Sequence, residues 1–301
     1  MTIQDESPGG LQKSEPRQQG RAGLFLESIK FSHSIFALPF ALAAFFMADS
    51  EETSWLLLAK IVAACVFART AAMSFNRLAD ARIDTLNPRT SSRAVAAGDL
   101  SRTFMAGATI TACCLFALCC WWINDLALYL CPAALTVLLG YSYTKRFTAL
   151  CHLLLGVALG LSPVGVWVAV HGEIELLPIL LGLAVAFWTA GFDVIYACQD
   201  YDFDRREGLH SIPARLGLPR ALLISRLFHL LAIALLVTLG LRAEYGTFYW
   251  IGTGTVAVLL VYEQSLVKPG DLSRVNLAFF TLNGIVSLVF MTSVILEKVV
   301  L

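Results

Sequence analysis

Asn76, Asp80 and Asp84 stand four residues apart in the run Asn76–Arg77–Leu78–Ala79–Asp80–Ala81–Arg82–Ile83–Asp84. On a helix they line one slowly drifting face. The run closes a long apolar segment, 54–75. Two carboxylates and an amide oxygen there offer hard oxygen donors to Mg2+, which keeps several waters and takes phosphate oxygens as further ligands. A solvated helix end whose acids pair with Arg77 and Arg82 would carry the same residues. A second run separates these readings. Asp193, Tyr196, Asp200 and Asp204 advance by three or four residues, so they too share one helical face while Asp202 points elsewhere. This run also ends an apolar span. Two acid-rich span ends with matched spacing, on one side of a membrane, read as two walls of one diphosphate–metal site.

The elements that must position these residues are membrane helices. Of the 301 residues, 57% are apolar and 15% charged, against about 45–50% and 25% in a soluble domain. The formal net charge is zero, which points away from a nucleic-acid partner. The composition implies an all-α polytopic protein of the lipid bilayer with about nine stretches of spanning length. They lie near 29–48, 54–75, 103–122, 125–143, 150–170, 176–197, 220–241, 247–266 and 274–296. Each must be helical, because an unpaired backbone group in lipid costs several kcal/mol. Gly156 and Gly160 would let helices approach closely. Residues 1–26 are rich in Gln, Gly, Ser, Pro and charge and read as a disordered tail; 27–301 read as one transmembrane domain. The eight cysteines read as small apolar side chains, not as a disulfide or zinc framework.

Basic residues gather on one side. Arg77, Arg82, Arg89, Arg93 and Arg102 follow the second span, Lys145 and Arg146 the fourth, and Arg205, Arg206, Arg215 and Arg220 the sixth. The opposite loops carry mainly acids, among them Asp125, Glu173, Glu175 and Glu244. The positive-inside rule places the N-terminus in the cytoplasm and, with an odd span count, the C-terminus across the inner membrane. Both acidic runs then face the cytoplasm.

Arg69 lies inside the second span, about two helical turns before Asn76, and an ionisable residue there is a functional candidate. Lys145 and Arg146 form a compact cationic pair at the acidic side. Carboxylates to hold Mg2+ and cations to hold free oxygens together equip a site for a diphosphate leaving group. At the mouth of an apolar bundle the fitting substrate has a diphosphate head and a hydrocarbon tail: a polyprenyl diphosphate. Tyr196, on the acidic face, would shield and stabilise the allylic cation. His152, His171 and His229 lack partners at metal-ligand spacing. Glu263 and Gln264, near the end of the eighth span, read as interface residues.

Taken together, Asn76-x-x-x-Asp80-x-x-x-Asp84 and Asp193-x-x-Tyr196-x-x-x-Asp200-x-x-x-Asp204 resemble the two signature motifs of the UbiA family of intramembrane prenyltransferases. The stretches Asn87–Pro88–Arg89–Thr90, Tyr143–Thr144–Lys145–Arg146–Phe147–Thr148 and 208–217 extend the likeness over the chain after its tail. The resemblance implies transfer of a polyprenyl chain from its diphosphate to an aromatic acid, with Mg2+ bridging the two motifs and no obligate protein partner. In quinone synthesis the acceptor is typically 4-hydroxybenzoate, alkylated on the ring carbon beside the hydroxyl. Carried over, Asn76, Asp80, Asp84, Asp193, Asp200 and Asp204 are metal and diphosphate ligands, directly or through water. Arg89, Arg93 and Lys145 hold phosphate oxygens or the acceptor carboxylate; Arg69, from its place inside a span, and Arg146, from the cationic pair, join them as substrate-binding candidates. One Asp of the second motif helps remove the acceptor's proton.

Two departures stand out. Many members carry Asp directly after the first Asn, where Arg77 stands here. The loop from Arg93 to Gly98 lacks prolines that many members place after the arginine. The Asn76–Arg77 pair and the Tyr196–Ala197–Cys198–Gln199–Asp200 run are similar to a branch linked to menaquinone formation by the futalosine route, whose acceptor is a dihydroxynaphthoate-type acid. Two other classes use intramembrane acids. A transporter places them at mid-bilayer between inverted-repeat halves, and a phosphatidyltransferase of the CDP-alcohol type carries one cluster, not two separated ones.

Overall fold

A computed structural model of the chain describes residues 20–30, 36–48 and 54–300. Among these the architecture is all-α, and the pairing of Lys268 with Asp271 is an isolated bridge. In chain order the helices are α1 (Arg21–Ser28), α2 (Leu38–Met47), α3 (Trp55–Leu86), α4 (Arg102–Ile123), α5 (Asp125–Thr144), α6 (Cys151–His171) and α7 (Leu176–Ala197). There follow α8 (Tyr201–Arg206), α9 (Ile212–Leu216), α10 (Leu218–Arg242), α11 (Thr247–Leu266) and α12 (Asn283–Val300). A 3-10 turn at Cys198–Asp200 joins α7 to α8, and π-helical turns at Leu277–Leu282 lead into α12.

Local sequence sets the helix ends. Ser54 and Ser101 accept the backbone N–H groups of Leu57 and Phe104, each at 3.1 Å, and so cap α3 and α4. Asn124 alone turns the chain from α4 into α5: its Oδ1 accepts the Ala127 N–H at 2.8 Å and its Nδ2 donates to the Val168 carbonyl at 2.7 Å. The hairpin is tight because one residue ends one helix and caps the next.

Seven segments among the described residues are long and apolar enough to cross a bilayer, so the expected count of about nine is not confirmed. The stretch expected at 29–48 contains α2, a helix of ten residues; at about 1.5 Å rise per residue it cannot cross a core of about 30 Å by itself. Pro39 in its first turn fixes where that helix starts. α11 has the length, 20 residues, but its polar residues, Glu263 and Gln264 among them, lower its apolarity. Part of the expected tail is ordered: α1 buries Leu24 against Ala81, Val95, Leu100 and Met105, and Phe25 meets Phe104 edge-on at 5.6 Å. Residues 1–19 lie outside the described residues.

Two packing features place the site. Against α7, α6 sits so closely that a Cβ at Gly160 would stand 2.3 Å from the Gly182 carbonyl oxygen, and one at Gly156 2.1 Å from that of Ala186. This small-residue seam brings the two backbones together. Trp55, Trp121, Trp122 and Tyr129 are exposed where α3 begins and α4 meets α5, an aromatic girdle at the end opposite the acids.

Candidate active site

Helix α3 continues without a break through the first acidic run, so Asn76, Asp80 and Asp84 do share a face. Asn76 Nδ2 donates to Asp80 Oδ2 at 3.2 Å and to Ser142 Oγ at 3.5 Å. Asp80 and Asp84 are only 3% and 4% exposed, and buried carboxylates need compensation. Lys145 Nζ stands 3.2 Å from Asp80 Oδ2. Arg93 reaches both oxygens of Asp84, at 2.8 and 3.0 Å. Arg146 lies 3.6 Å from Asp80 Oδ1, an ion-pair distance too long for a hydrogen bond, and that buried oxygen accepts none.

Arg77 reaches both this face and α1: its Nη1 donates to Asn76 Oδ1 at 3.4 Å. Its Nε donates to the Ser28 carbonyl at 2.8 Å, while Arg69 Nη2 donates to the Lys30 carbonyl at 3.1 Å. Two cations of α3 thus satisfy carbonyls at the C-terminal end of α1, where helical partners run out. The residue that departs from the family pattern thus links α1 to Asn76 and lines the cavity described below.

The second wall bends where the spacing rule assumes a uniform helix. α7 ends at Ala197, and the tighter 3-10 turn carries Asp200. Arg89 Nε donates to Asp200 Oδ1 at 2.8 Å, and its Nη2 meets Oδ2. Asn87 Nδ2 adds a bond to Oδ1 at 2.9 Å. Arg89 Nη1 also donates to the Tyr196 hydroxyl at 2.8 Å, with the guanidinium 4.9 Å from that ring's centre. Burial acts against the Arg89 charge, but Asp200 and Tyr196 outweigh it and hold the proton more firmly than in an ordinary arginine. Asp204 is buried and Asp202 exposed, as their spacing implies.

Asp193 has a partner of its own. His152 Nδ1 lies 2.7 Å from Asp193 Oδ2, and the Ile212 backbone N–H points to His152 Nε2 at 3.2 Å. A backbone donor at Nε2 leaves the ring proton on Nδ1, so His152 donates to the carboxylate. Spacing arguments missed His152, Asn87 and Ser142, because their partners lie 41, 113 and 66 residues away.

These groups close one end of a cavity of about 650 Å3. Asn76, Asp80, Asp84, Asp193, Tyr196, Asp200, Asp204, Arg69, Arg89, Arg93 and Lys145 all line it; Arg146 stands just outside, over the Tyr143 ring at 4.7 Å. From this polar mouth the cavity runs between apolar side chains to Ile123 at the end of α4 and Ile174 before α7. It therefore extends nearly the length of the helices. Among the described residues no three His, Cys, Asp or Glu side chains converge as a ready-made metal cage. The donor set is nonetheless that of a Mg2+ site completed by substrate: buried carboxylates from two walls, with the Asp80 Oδ1 lone pairs open.

The UbiA prenyltransferase family model matches residues 37–285. The chain belongs to this family. A 4-hydroxybenzoate octaprenyltransferase of Marinobacter nauticus is 32% identical over 219 residues, covering 72% of this chain and 74% of that one. Another so named, from Paraburkholderia phytofirmans, is 28% identical over 252 residues, covering 82% and 87%. The apo structure of a UbiA homologue from Aeropyrum pernix K1 superposes with a TM-score of 0.81 at 34% identity, covering 88% and 98%. A UbiA homologue from Archaeoglobus fulgidus bound to DMAPP and Mg2+ shares the fold, with a TM-score of 0.73 at 21% identity over 92% and 99%. With seven helices among the described residues long and apolar enough to cross a bilayer, this UbiA-family chain is an integral membrane prenyltransferase.

Proposed function

We propose that the chain transfers a polyprenyl group from polyprenyl diphosphate to 4-hydroxybenzoate, on the ring carbon beside the hydroxyl, for quinone synthesis at the cytoplasmic face of the inner membrane. One observation carries this reading: acids of α3 and acids at the end of α7 share the mouth of one deep apolar cavity, with Arg89, Arg93 and Lys145 among them. The names of the curated relatives support the acceptor.

Asp80 and Asp84 on one wall and Asp200 and Asp204 on the other, with Asn76, would hold Mg2+, which when bound neutralises charge on the departing diphosphate. Arg89, Arg93 and Lys145 bind the remaining phosphate oxygens. The cavity holds the hydrocarbon chain and keeps water from the allylic carbon as the C–O bond breaks, and Tyr196 offers it an aromatic face. Arg69, whose buried Nε has no hydrogen-bond partner, takes the acceptor carboxylate. Asp193 stands seven residues before Asp200, about 10 Å of helix rise deeper, and one of its oxygens is held by His152. This reading therefore gives Asp193 to the acceptor rather than to the metal. As the new C–C bond forms, the ring proton passes to this carboxylate and aromaticity returns.

The test uses membranes containing the chain, Mg2+ and labelled polyprenyl diphosphate, with 4-hydroxybenzoate and a dihydroxynaphthoate offered separately. Prenylated 4-hydroxybenzoate is the expected product. Product with the naphthoate alone would move the acceptor to the menaquinone branch, and product with neither would reject aromatic prenyl transfer.

A further inference from the structure

Glu263, expected at the membrane interface, is fully buried on α11. Its Oε1 accepts Asn283 Nδ2 at 3.0 Å, while its Oε2 has no hydrogen-bond partner. An incompletely paired carboxyl in a bundle core is costly, so its neighbours are informative. The same Asn283 nitrogen lies 2.9 Å from the Ala278 carbonyl oxygen and 3.2 Å from that of Phe279. Asn283 Oδ1 accepts the Trp188 indole N–H at 2.7 Å. Trp188 fixes which end of the amide is oxygen, and Glu263 fixes where its nitrogen points.

The two carbonyls belong to the π-helical turns Leu277–Leu282. A π-turn inserts a residue into the ladder, and buried carbonyls that lose their regular donor need another. Asn283 is that donor. The turn sets the Phe279 ring 4.1 Å from that of Tyr196, nearly parallel at 26°, and edge-on to Phe192 at 5.4 Å. All three rings line the cavity. Beyond Tyr196 the contacts continue through its hydroxyl to Arg89 and from Arg89 to Asp200.

We propose that Glu263, Asn283 and Trp188 are positioning residues: they hold the π-turn that presses Phe279 against Tyr196, and so keep Tyr196, Arg89 and Asp200 aligned for the diphosphate. The ligand named here rests on the function proposed above. Helix gluing alone would cost stability and leave kinetics untouched. Glu297 on α12 supplies the comparison, since it is also buried and accepts the backbone N–H groups of Gly246 and, at 3.2 Å, Tyr249 at the start of α11. That is a helix cap.

The experiment measures KM for polyprenyl diphosphate, kcat, and the thermal midpoint of the full chain with and without inorganic diphosphate plus Mg2+. Glu263→Met and Asn283→Leu are expected to raise KM roughly tenfold, whereas Glu263→Gln, which keeps the acceptor oxygen, stays within about twofold of the parent. The rise in midpoint on adding diphosphate should shrink in the first two and persist in the third. Phe279→Ala should reproduce the kinetic change, and Glu263→Met combined with Phe279→Ala should be no worse than Phe279→Ala alone. Glu297→Gln should lower the midpoint with KM and kcat unchanged. A lower midpoint for Glu263→Met with unchanged KM and an unchanged response to diphosphate would overturn the proposal, as would effects that multiply in the double variant. Should Glu263→Met fail to accumulate, Trp188→Phe, which removes one N–H, decides in the same way: a raised KM supports, an unchanged KM refutes. The diphosphate measurement needs no acceptor, so it stands even where the acceptor proposed above is wrong.

Discussion

Arg89 and Asp200 lie 111 residues apart in sequence and form a forked ion pair, with Nε 2.8 Å from Oδ1 and Nη2 on Oδ2. This clasp ties the loop after α3 to the turn after α7, and so joins the two walls. Lysine keeps the charge but cannot fork. Arg89→Lys is expected to lower kcat/KM for polyprenyl diphosphate about tenfold, and Arg89→Ala about a hundredfold. Steady-state assays in membranes check this; parental activity in the lysine variant would contradict it.

His152 holds one oxygen of Asp193, and both residues line the cavity. In His152→Leu the carboxylate loses its 2.7 Å partner and the Ile212 N–H loses its acceptor. Turnover should fall about ten- to a hundredfold, with KM for polyprenyl diphosphate little changed, because the cations proposed to bind phosphate lie elsewhere. A raised KM with unaltered kcat would instead place Asp193 with the diphosphate.

Arg77 occupies the position where a further acid would extend the first motif, yet its Nε is committed to the Ser28 carbonyl at 2.8 Å. Arg77→Ala should cost about 1–3 kcal/mol of stability, the penalty of a buried group left without its partner. Because Arg77 Nη1 also donates to Asn76 Oδ1 at 3.4 Å, the Mg2+ concentration for half-maximal activity should fall as a competing donor and a positive charge leave that oxygen. A metal titration beside a thermal melt separates the two effects.

The α6–α7 seam has no room for a side chain. Gly160→Val would drive a Cβ to 2.3 Å from the Gly182 carbonyl oxygen, and overpacking of this kind costs about 1–3 kcal/mol or more. Gly165→Ala, on the same helix but with nothing within 4 Å of its Cβ, should melt like the parent. Thermal midpoints in detergent compare the pair.

The first acidic run was readable from sequence because α3 stays regular to Leu86, so a four-residue spacing translates directly into a shared face. The second run was readable less fully: the shift to a 3-10 turn at Cys198–Asp200 breaks the uniform period on which the spacing argument depends. Hydropathy also blurs the ends of the helices. An apolar stretch at 29–48 does not reveal that α2 has ten residues, nor that Glu263 would be sheltered by Asn283 rather than placed at an interface. The pairs His152–Asp193 and Asn87–Asp200 are long-range products of helix packing, which no local pattern encodes.

The central claim is that both acidic runs serve one diphosphate–metal site, and neutralising one acid on each wall tests it most directly. Asp80→Asn and Asp200→Asn preserve shape while removing charge. Each is expected to abolish Mg2+-dependent prenyl transfer in membranes while the chain accumulates and melts as the parent does. Near-parental turnover in either variant would contradict the two-wall account.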